Sequence, residues 1–363
     1  MVVINVNKKK DILFVNSSLS DGGSERVMTL LANQFSKIGY NVKMILVREK
    51  EDTYEVDDSV NIIRFKYKYK NKIFIFLSRI IKLRKELKKH PYIIISFMSD
   101  INICTLIANI GLKNRIIVSE RADPGHSSRS KLRFFLERKL YPRAYKVVLQ
   151  TEFVKRYFID KIVQKSCVIP NPISSNLPKR DSKKINNIFV AAGRLSEQKN
   201  FELLINSFNT FCKVNDNYNL VIYGEGLLRG KLENQVKKLK LQNKIKLPGY
   251  VKNVNELMKN CKIYISTSDF EGISNSMLEA IGMGIPSICT DCPVGGAGLV
   301  IENEVNGILV PIRNQKAIVD AMIKLTSDND LYNSISLNAK KIYKKFSLEV
   351  IIQKWIDLIE EKS

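Results

Sequence analysis

Short apolar runs alternate with amphipathic stretches along nearly the whole chain, the mark of repeated βα units and a parallel sheet. In the first half the pattern predicts strands near 11–16, 41–47, 61–65, 92–97, 115–119, 145–150 and 166–169. Helices fall between them, near 24–38, 74–89, 100–111, 128–141 and 152–160. The second half repeats the rhythm, with strands near 187–192, 219–223, 244–247, 262–266, 285–289 and 307–310. Its helices are predicted near 200–213, 226–240, 252–259, 274–283 and 314–326, and two more, near 329–345 and 347–361, close the chain. Between the halves, IPNPISSNLPKRDSKK (169–184) carries three prolines in a polar run and reads as a linker. The expected organisation is therefore two doubly wound α/β domains, 1–172 and 173–346, whose ligand sites lie at the C-terminal ends of their strands.

Length and composition agree with this. The 363 residues, 45% of them hydrophobic, are enough for two cores. No run of about 18 apolar residues occurs, and the apolar stretch at 12–15 is too short for a secretion signal, so a cytosolic protein without a membrane span is expected. Six cysteines show no framework spacing and are expected as reduced thiols. Cys289 and Cys292 form C-x-x-C, but no second pair or nearby histidine completes a metal site, and the two histidines, His90 and His126, argue against a histidine-rich metal centre.

Charge adds a further point. The net charge is +23, and it is unevenly placed: residues 1–180 carry 35 basic and 16 acidic side chains, residues 181–363 only 24 and 20. Such a field attracts polyanions, namely nucleic acid, an anionic membrane surface or a phosphorylated substrate.

Three stretches carry candidate chemistry. Asp21-Gly22-Gly23 joins a strand to a helix, where paired glycines expose amides to a phosphate or polar ligand, or else make a plain turn capped by Ser24. After the strand ending at 192 come Gly193 and Arg194, then a loop with Lys199; the two cations would lie where a diphosphate meets helix N-termini, or are solvated surface charges. FEGISNSMLE (270–279) places Glu271 before, and Glu279 one turn into, a helix begun by Ser274, Asn275 and Ser276. Amides at Ser276 and Met277 favour an anion, and the flanking carboxylates would accept hydrogen bonds from sugar and ribose hydroxyls. The alternative is a capping box between Ser276 and Glu279.

In order and spacing, these motifs resemble the family 4 retaining glycosyltransferases of the GT-B fold, two Rossmann-like domains facing across a cleft. The resemblance covers nearly the whole chain: Gly22-Gly23 matches the N-terminal glycine loop, GRLSEQKN (193–200) the G-R-x-x-x-x-K-N motif, YGEG (223–226) the following turn and EGISNSMLE (271–279) the E-x7-E motif. It implies that Arg194 and Lys199 bind the donor diphosphate and that Glu271 contacts donor-sugar hydroxyls. It further implies Glu279 on the ribose diol, backbone from Ser274 to Met277 on the phosphates, and Tyr250-Val251 beside the nucleobase. Helix 347–363 is expected to join the N-terminal domain. Where many relatives have a histidine after VSE, this chain has Arg121, with His126 nearby, so either is a candidate donor-sugar contact.

The resemblance implies transfer of a hexose or N-acetylhexosamine from a nucleotide sugar, UDP-linked by analogy, to a saccharide acceptor on a lipid diphosphate. Retention of configuration by same-face attack, no metal and no separate cofactor are expected. The alternatives are a sugar-nucleotide epimerase or a catalytically silent transferase partner. Residues 64–90 and 129–146 mix aromatic and aliphatic side chains with lysine and arginine, and predict docking of the N-terminal domain on anionic lipid at the inner face of the cell membrane; nucleic acid is not expected as a partner.

Overall fold

The computed structural model describes residues 10–20, 22–68, 70–89, 91–121, 123–125 and 131–361. The chain divides into two compact units, Met1–Pro172 with Leu348–Ser363, and Ile173–Ser347.

In unit 1 the strands are β1 (Asp11–Asn16), β2 (Asn41–Leu46), β3 (Asn61–Arg64), β4 (Ile93–Phe97), β5 (Arg115–Ser119), β6 (Lys146–Leu149) and β7 (Ser166–Val168). They form one parallel sheet in the order β3-β2-β1-β4-β5-β6-β7. The central strands β1 and β4 are apolar runs buried on both faces, as crossover helices require. On one face, Ile12, Phe14, Ile95 and Phe97 pack against α1 (Gly23–Lys37). The same cluster takes in Ile351, Ile352 and Trp355 of the last helix of the chain, Leu348–Glu360. α2 (Lys72–Leu87) and α4 (Lys131–Leu140) flank α3 (Ser99–Ala108), which is buried on nearly every side.

The segment at 152–160, predicted as a helix, is instead a 3-10 turn over Glu152–Tyr157 followed by the single turn α5 (Asp160–Val163). Only Val154 of that turn is buried, so no apolar stripe holds a regular helix against the sheet. Positions 128–130 of the fourth predicted helix lie outside the described residues.

Unit 2 carries β8 (Ile188–Ala192), β9 (Asn219–Tyr223), β10 (Ile245–Gly249), β11 (Ile263–Ser266), β12 (Ser287–Thr290) and β13 (Ile308–Val310), parallel in the order β10-β9-β8-β11-β12-β13. α6 (Phe201–Cys212), α7 (Arg229–Lys238) and α10 (Gln315–Ser327) cover one face. α8 (Val254–Met258), α9 (Asn275–Gly282) and α11 (Asn329–Phe346) cover the other. Helices α6 and α9, which follow the adjacent strands β8 and β11, thus leave on opposite faces, and a topological switch point lies between these strands. The final helix, α12 (Leu348–Glu360), begins after a break at Ser347, whose backbone is extended.

The predicted linker is largely docked. Ile169, Pro170, Asn171 and Pro172 are buried, and Arg180 donates to the carbonyls of Gly284 (3.0 Å) and Cys261 (2.9 Å) and to the Tyr332 hydroxyl (2.7 Å). The prolines and polar residues lie where the chain passes between the units, and one arginine with three acceptors fixes the segment to unit 2. Cys289 and Cys292 are buried thiols that form no disulfide among the described residues, and burial pushes the Cys289 thiol well above its ordinary value.

Candidate active site

All the candidate residues of unit 2 except Tyr250 and Val251 lie on the segments that follow β8 and β11, at the switch point. Gly193 and Arg194 leave β8, and a 3-10 turn, Glu197–Lys199, leads into α6. Asn200 adopts the left-handed conformation (φ 46°, ψ 46°), and its side chain caps α6 by accepting from the amide of Leu203. That cap orients Lys199, whose stem lies over Gly193: a Cβ there would sit 2.8 Å from Lys199 Cε. Glycine is therefore required for close approach rather than for an unusual φ.

Lys199 does not stand alone. Its Nζ donates to both carboxylate oxygens of Glu271, at 2.7 and 2.5 Å, and the two side chains are only 12% and 19% exposed. The Ser268 hydroxyl donates to Glu271 Oε2 at 2.8 Å. The sequence offered these as two separate functions, a phosphate-binding cation and a sugar-binding acid; the structure brings them together as one ion pair across 72 residues. Arg194 is exposed, and no carboxylate among the described residues pairs with it.

The E-x7-E stretch begins α9. Its cap is Ser274, whose Oγ accepts from the amide of Met277 at 3.5 Å. The capping box between Ser276 and Glu279 is not formed, because Ser276 lies inside the first turn and its hydroxyl is engaged elsewhere. It donates to the Ala192 carbonyl at 3.2 Å and lies 2.8 Å from the Tyr264 hydroxyl. Tyr264 is fully buried, so Ser276 pins the start of α9 to β8 and β11. The first-turn amides of α9 lack intrahelical acceptors and lie at the positive end of its dipole. Glu279 lies one turn in and is 2% exposed. Tyr250 and Val251 follow β10, the tyrosine 44% exposed.

Residues that sequence reasoning passed over lace the Lys199 and Glu271 loops together. The Asp269 amide donates to Gln198 O (2.9 Å), Gln198 Nε2 to Phe270 O (2.9 Å) and Thr267 Oγ1 to Lys199 O (3.0 Å). Their only sequence signal was the asparagine closing GRLSEQKN, a residue type that tolerates left-handed backbone and caps helices.

Unit 1 places its candidates differently. Gly22, not Ser24, is the N-cap residue of α1, and a Cβ on it would collide with Glu25 Oε2 at 1.9 Å, so an acid folds over the glycine turn. Arg121 stacks over Phe97 (4.7 Å) and Trp355 (5.8 Å) and donates from Nη1 to Asn171 Oδ1 (2.9 Å) and Ile169 O (3.2 Å). Burial lowers its pKa to about 9. Glu120 beside it is buried and accepts from the Tyr141 hydroxyl and from Asn102 Nδ2. Asp21, His90 and His126 lie outside the described residues.

The family profile described as "Glycosyltransferase Family 4" matches residues 21–177, and that described as "Glycosyl transferases group 1" matches residues 174–342. The chain is 28% identical over 359 residues to the GalNAc-alpha-(1->4)-GalNAc-alpha-(1->3)-diNAcBac-PP-undecaprenol alpha-1,4-N-acetyl-D-galactosaminyltransferase of Campylobacter jejuni, covering 96% of this chain and 98% of the relative. It is 24% identical over 362 residues to the amylovoran biosynthesis glycosyltransferase AmsD of Erwinia amylovora, covering 96% and 99%. Its fold matches that of HepE of Anabaena in complex with UDP, with a TM-score of 0.81 at 19% identity over 96% of this chain and 99% of that one. With two parallel-sheet domains of the GT-B kind and both profiles matched in succession, the chain belongs to the family 4 glycosyltransferases.

Proposed function

We propose that this enzyme transfers a hexose or N-acetylhexosamine from a UDP-sugar to a saccharide carried on a lipid diphosphate, with retention of configuration, in the building of a bacterial surface glycan. The observation that carries the donor half is the Lys199–Glu271 pair beside exposed Arg194 at the switch point of unit 2. As the anomeric bond breaks, negative charge grows on the leaving diphosphate. Arg194, Lys199 and the first amides of α9 stabilise it, the electrostatic route to a lower barrier. Glu271, already oriented by Ser268 and Lys199, accepts from donor-sugar hydroxyls. Glu279 takes the ribose diol, and Tyr250 and Val251 lie beside the base. In this reading the cations neutralise the diphosphate and no metal or further cofactor takes part. The names of the Campylobacter relative and of the UDP-bound Anabaena structure support the acceptor and nucleotide classes.

The acceptor half rests on unit 1. Ile73, Phe74, Leu77 and Ile81 share one face of α2 and are 49–69% exposed, and Leu132 and Phe135 of α4 are exposed as well. Cations on the same helices include Lys72, Lys82, Lys85, Arg133 and Lys139. An apolar ridge with a basic surround fits an anionic bilayer surface, each near-surface cation contributing about 1 kcal/mol. No helix among the described residues is long and apolar enough to cross a membrane, so the attachment proposed is peripheral, at the inner face.

The test is a transfer screen with UDP- and GDP-sugars, with and without a lipid-diphosphate saccharide, alongside Arg194→Ala. Acceptor-dependent product from one UDP-sugar, with the anomeric configuration kept and unaffected by chelator, is the expected result. Conversion of donor without acceptor would instead mark an epimerase, and nucleotide binding without turnover a silent partner. Flotation with phosphatidylglycerol vesicles should be salt-sensitive and lost in the Ile73→Ser, Phe74→Ser, Ile81→Ser triple variant.

A further inference from the structure

Outside the residues assigned above, the loops at the switch point contain a second charged cluster. Asp269 is 9% exposed and stands two residues before Glu271. Its Oδ1 accepts from Asn200 Nδ2 at 2.9 Å, and its Oδ2 accepts from Arg313, whose Nε and Nη2 both lie 2.9 Å away. Its backbone amide reaches Gln198 O at 2.9 Å. One residue is thus bonded to both neighbours of Lys199 and to a third loop, the one that follows β13.

Two of the three partners hold unusual backbone. Arg313 has φ +56° and Asn200 φ +46°. An arginine in the left-handed region is uncommon and persists where surrounding contacts over-determine it. The Arg313 side chain is 73% exposed, so burial of apolar surface does not hold it there. What the guanidinium gains is the largely buried Asp269 carboxylate, which without it would face only an amide.

We propose that Asp269 and Arg313 form a clasp that positions the Lys199–Glu271 pair for the donor diphosphate and sugar. Arg313 neutralises Asp269, Asp269 fixes Asn200 in its left-handed cap, and Asn200 sets where Lys199 leaves the 3-10 turn. Neither clasp residue touches the reacting atoms; both are positioning residues. The claim rests on the donor-site reading above, and its test separates the two.

Arg313→Gly is the informative variant, because glycine adopts φ +56° freely and removes only the side chain. Asp269→Asn keeps the shape but turns an amide group toward Arg313 or Asn200. Both should lower kcat by about tenfold to a hundredfold, the scale on which a displacement near 1 Å acts, while the donor KM moves less than about threefold. Arg313→Lys should recover part of the kcat. Amide hydrogen exchange of the free protein, over 197–203, should quicken in Arg313→Gly and Asp269→Asn, with the thermal midpoint of Arg313→Gly lowered by no more than about 4 °C, so that the variant is compared as a folded protein. If Arg313→Gly keeps the parent kcat and the parent exchange over 197–203, the clasp is refuted. If the parent protein turns over no donor, the transferase reading fails, while the exchange measurement still decides the clasp.

Discussion

Replacing Glu271 by glutamine tests the ion pair at the centre of the candidate site. The change keeps size and one acceptor oxygen and removes the charge that Lys199 meets at 2.5 and 2.7 Å. Hydrogen bonds to charged groups contribute about 1.5–3 kcal/mol each in proteins, and this pair is sheltered from screening, at 12% and 19% exposure. Lys199 is therefore divided between Glu271 and any diphosphate that approaches it. Relieving half of that competition amounts to about 1 kcal/mol, so UDP should bind about fivefold more tightly to Glu271→Gln. The donor sugar, in contrast, loses a charged acceptor, and transfer should fall by about a hundredfold, the loss of one charge-assisted hydrogen bond in the transition state. Calorimetric titration with UDP and steady-state kinetics measure the two effects on the same preparations. A tenfold or greater weakening of UDP binding would refute the reasoning, since it would make Glu271 a nucleotide-holding residue and not a competitor for Lys199. Stability gives a control: an uncompensated lysine at this depth should cost about 1–3 kcal/mol, read as a lowered urea midpoint with unchanged slope.

Gly224→Ala should destabilise unit 2 by about 3 kcal/mol, because its Cβ would lie 1.9 Å from the Gly193 carbonyl at φ +138°, and backbone cannot yield. Gly193→Ala meets only the flexible end of Lys199, so its midpoint should hold while turnover falls about tenfold; urea denaturation and kinetics distinguish the two. Trp355 is the single tryptophan and stacks on Phe97 at 6.2 Å, so its fluorescence reports unit 1, and Phe97→Ala should lower the stability so detected by about 3–5 kcal/mol. Arg194→Ala should leave the thermal midpoint in place, an exposed side chain away from packing costing less than about 0.5 kcal/mol, while donor turnover falls by about a hundredfold or more.

What the sequence disclosed follows from how each feature is encoded. Strands such as ILFV at 12–15 and IIIS at 93–96 are buried on both faces, so they read as continuous apolar runs whatever lies far along the chain. α2 is different: Ile73, Phe74, Ile75, Phe76 and Leu77 are apolar all round, and only Arg79, Leu83 and Leu87 are buried in the fold. Composition announced an unusual helix there, but tertiary packing alone decides which side stays bare. The capping box failed for a related reason. Serine at 274 and at 276 both suit an N-cap, and the choice was made by Tyr264, which engages Ser276 and leaves Ser274 to begin the helix.

The ion pair and the clasp were invisible because they join loops 44 to 72 residues apart, and the sheet order creates those neighbours. Once β8 lies between β9 and β11, the loops following these strands must stack at one edge. Two motif glycines and one outside the motifs are then explained by packing: Gly224 passes against Gly193, Gly226 against the Leu195 carbonyl, and Gly296, beyond the third motif, against Gly272, each leaving no room for a Cβ. Packing therefore accounts for these glycines, and local geometry for Asn200 and Ser276. It does not account for Arg194, which is exposed and has no carboxylate partner among the described residues, nor for a lysine and a glutamate sheltered together at the mouth of a helix when an apolar pair would fill the same space without desolvating two charges. Within these motifs, those residues are the ones the fold does not need, and a negatively charged, hydroxyl-bearing donor is what their chemistry suits.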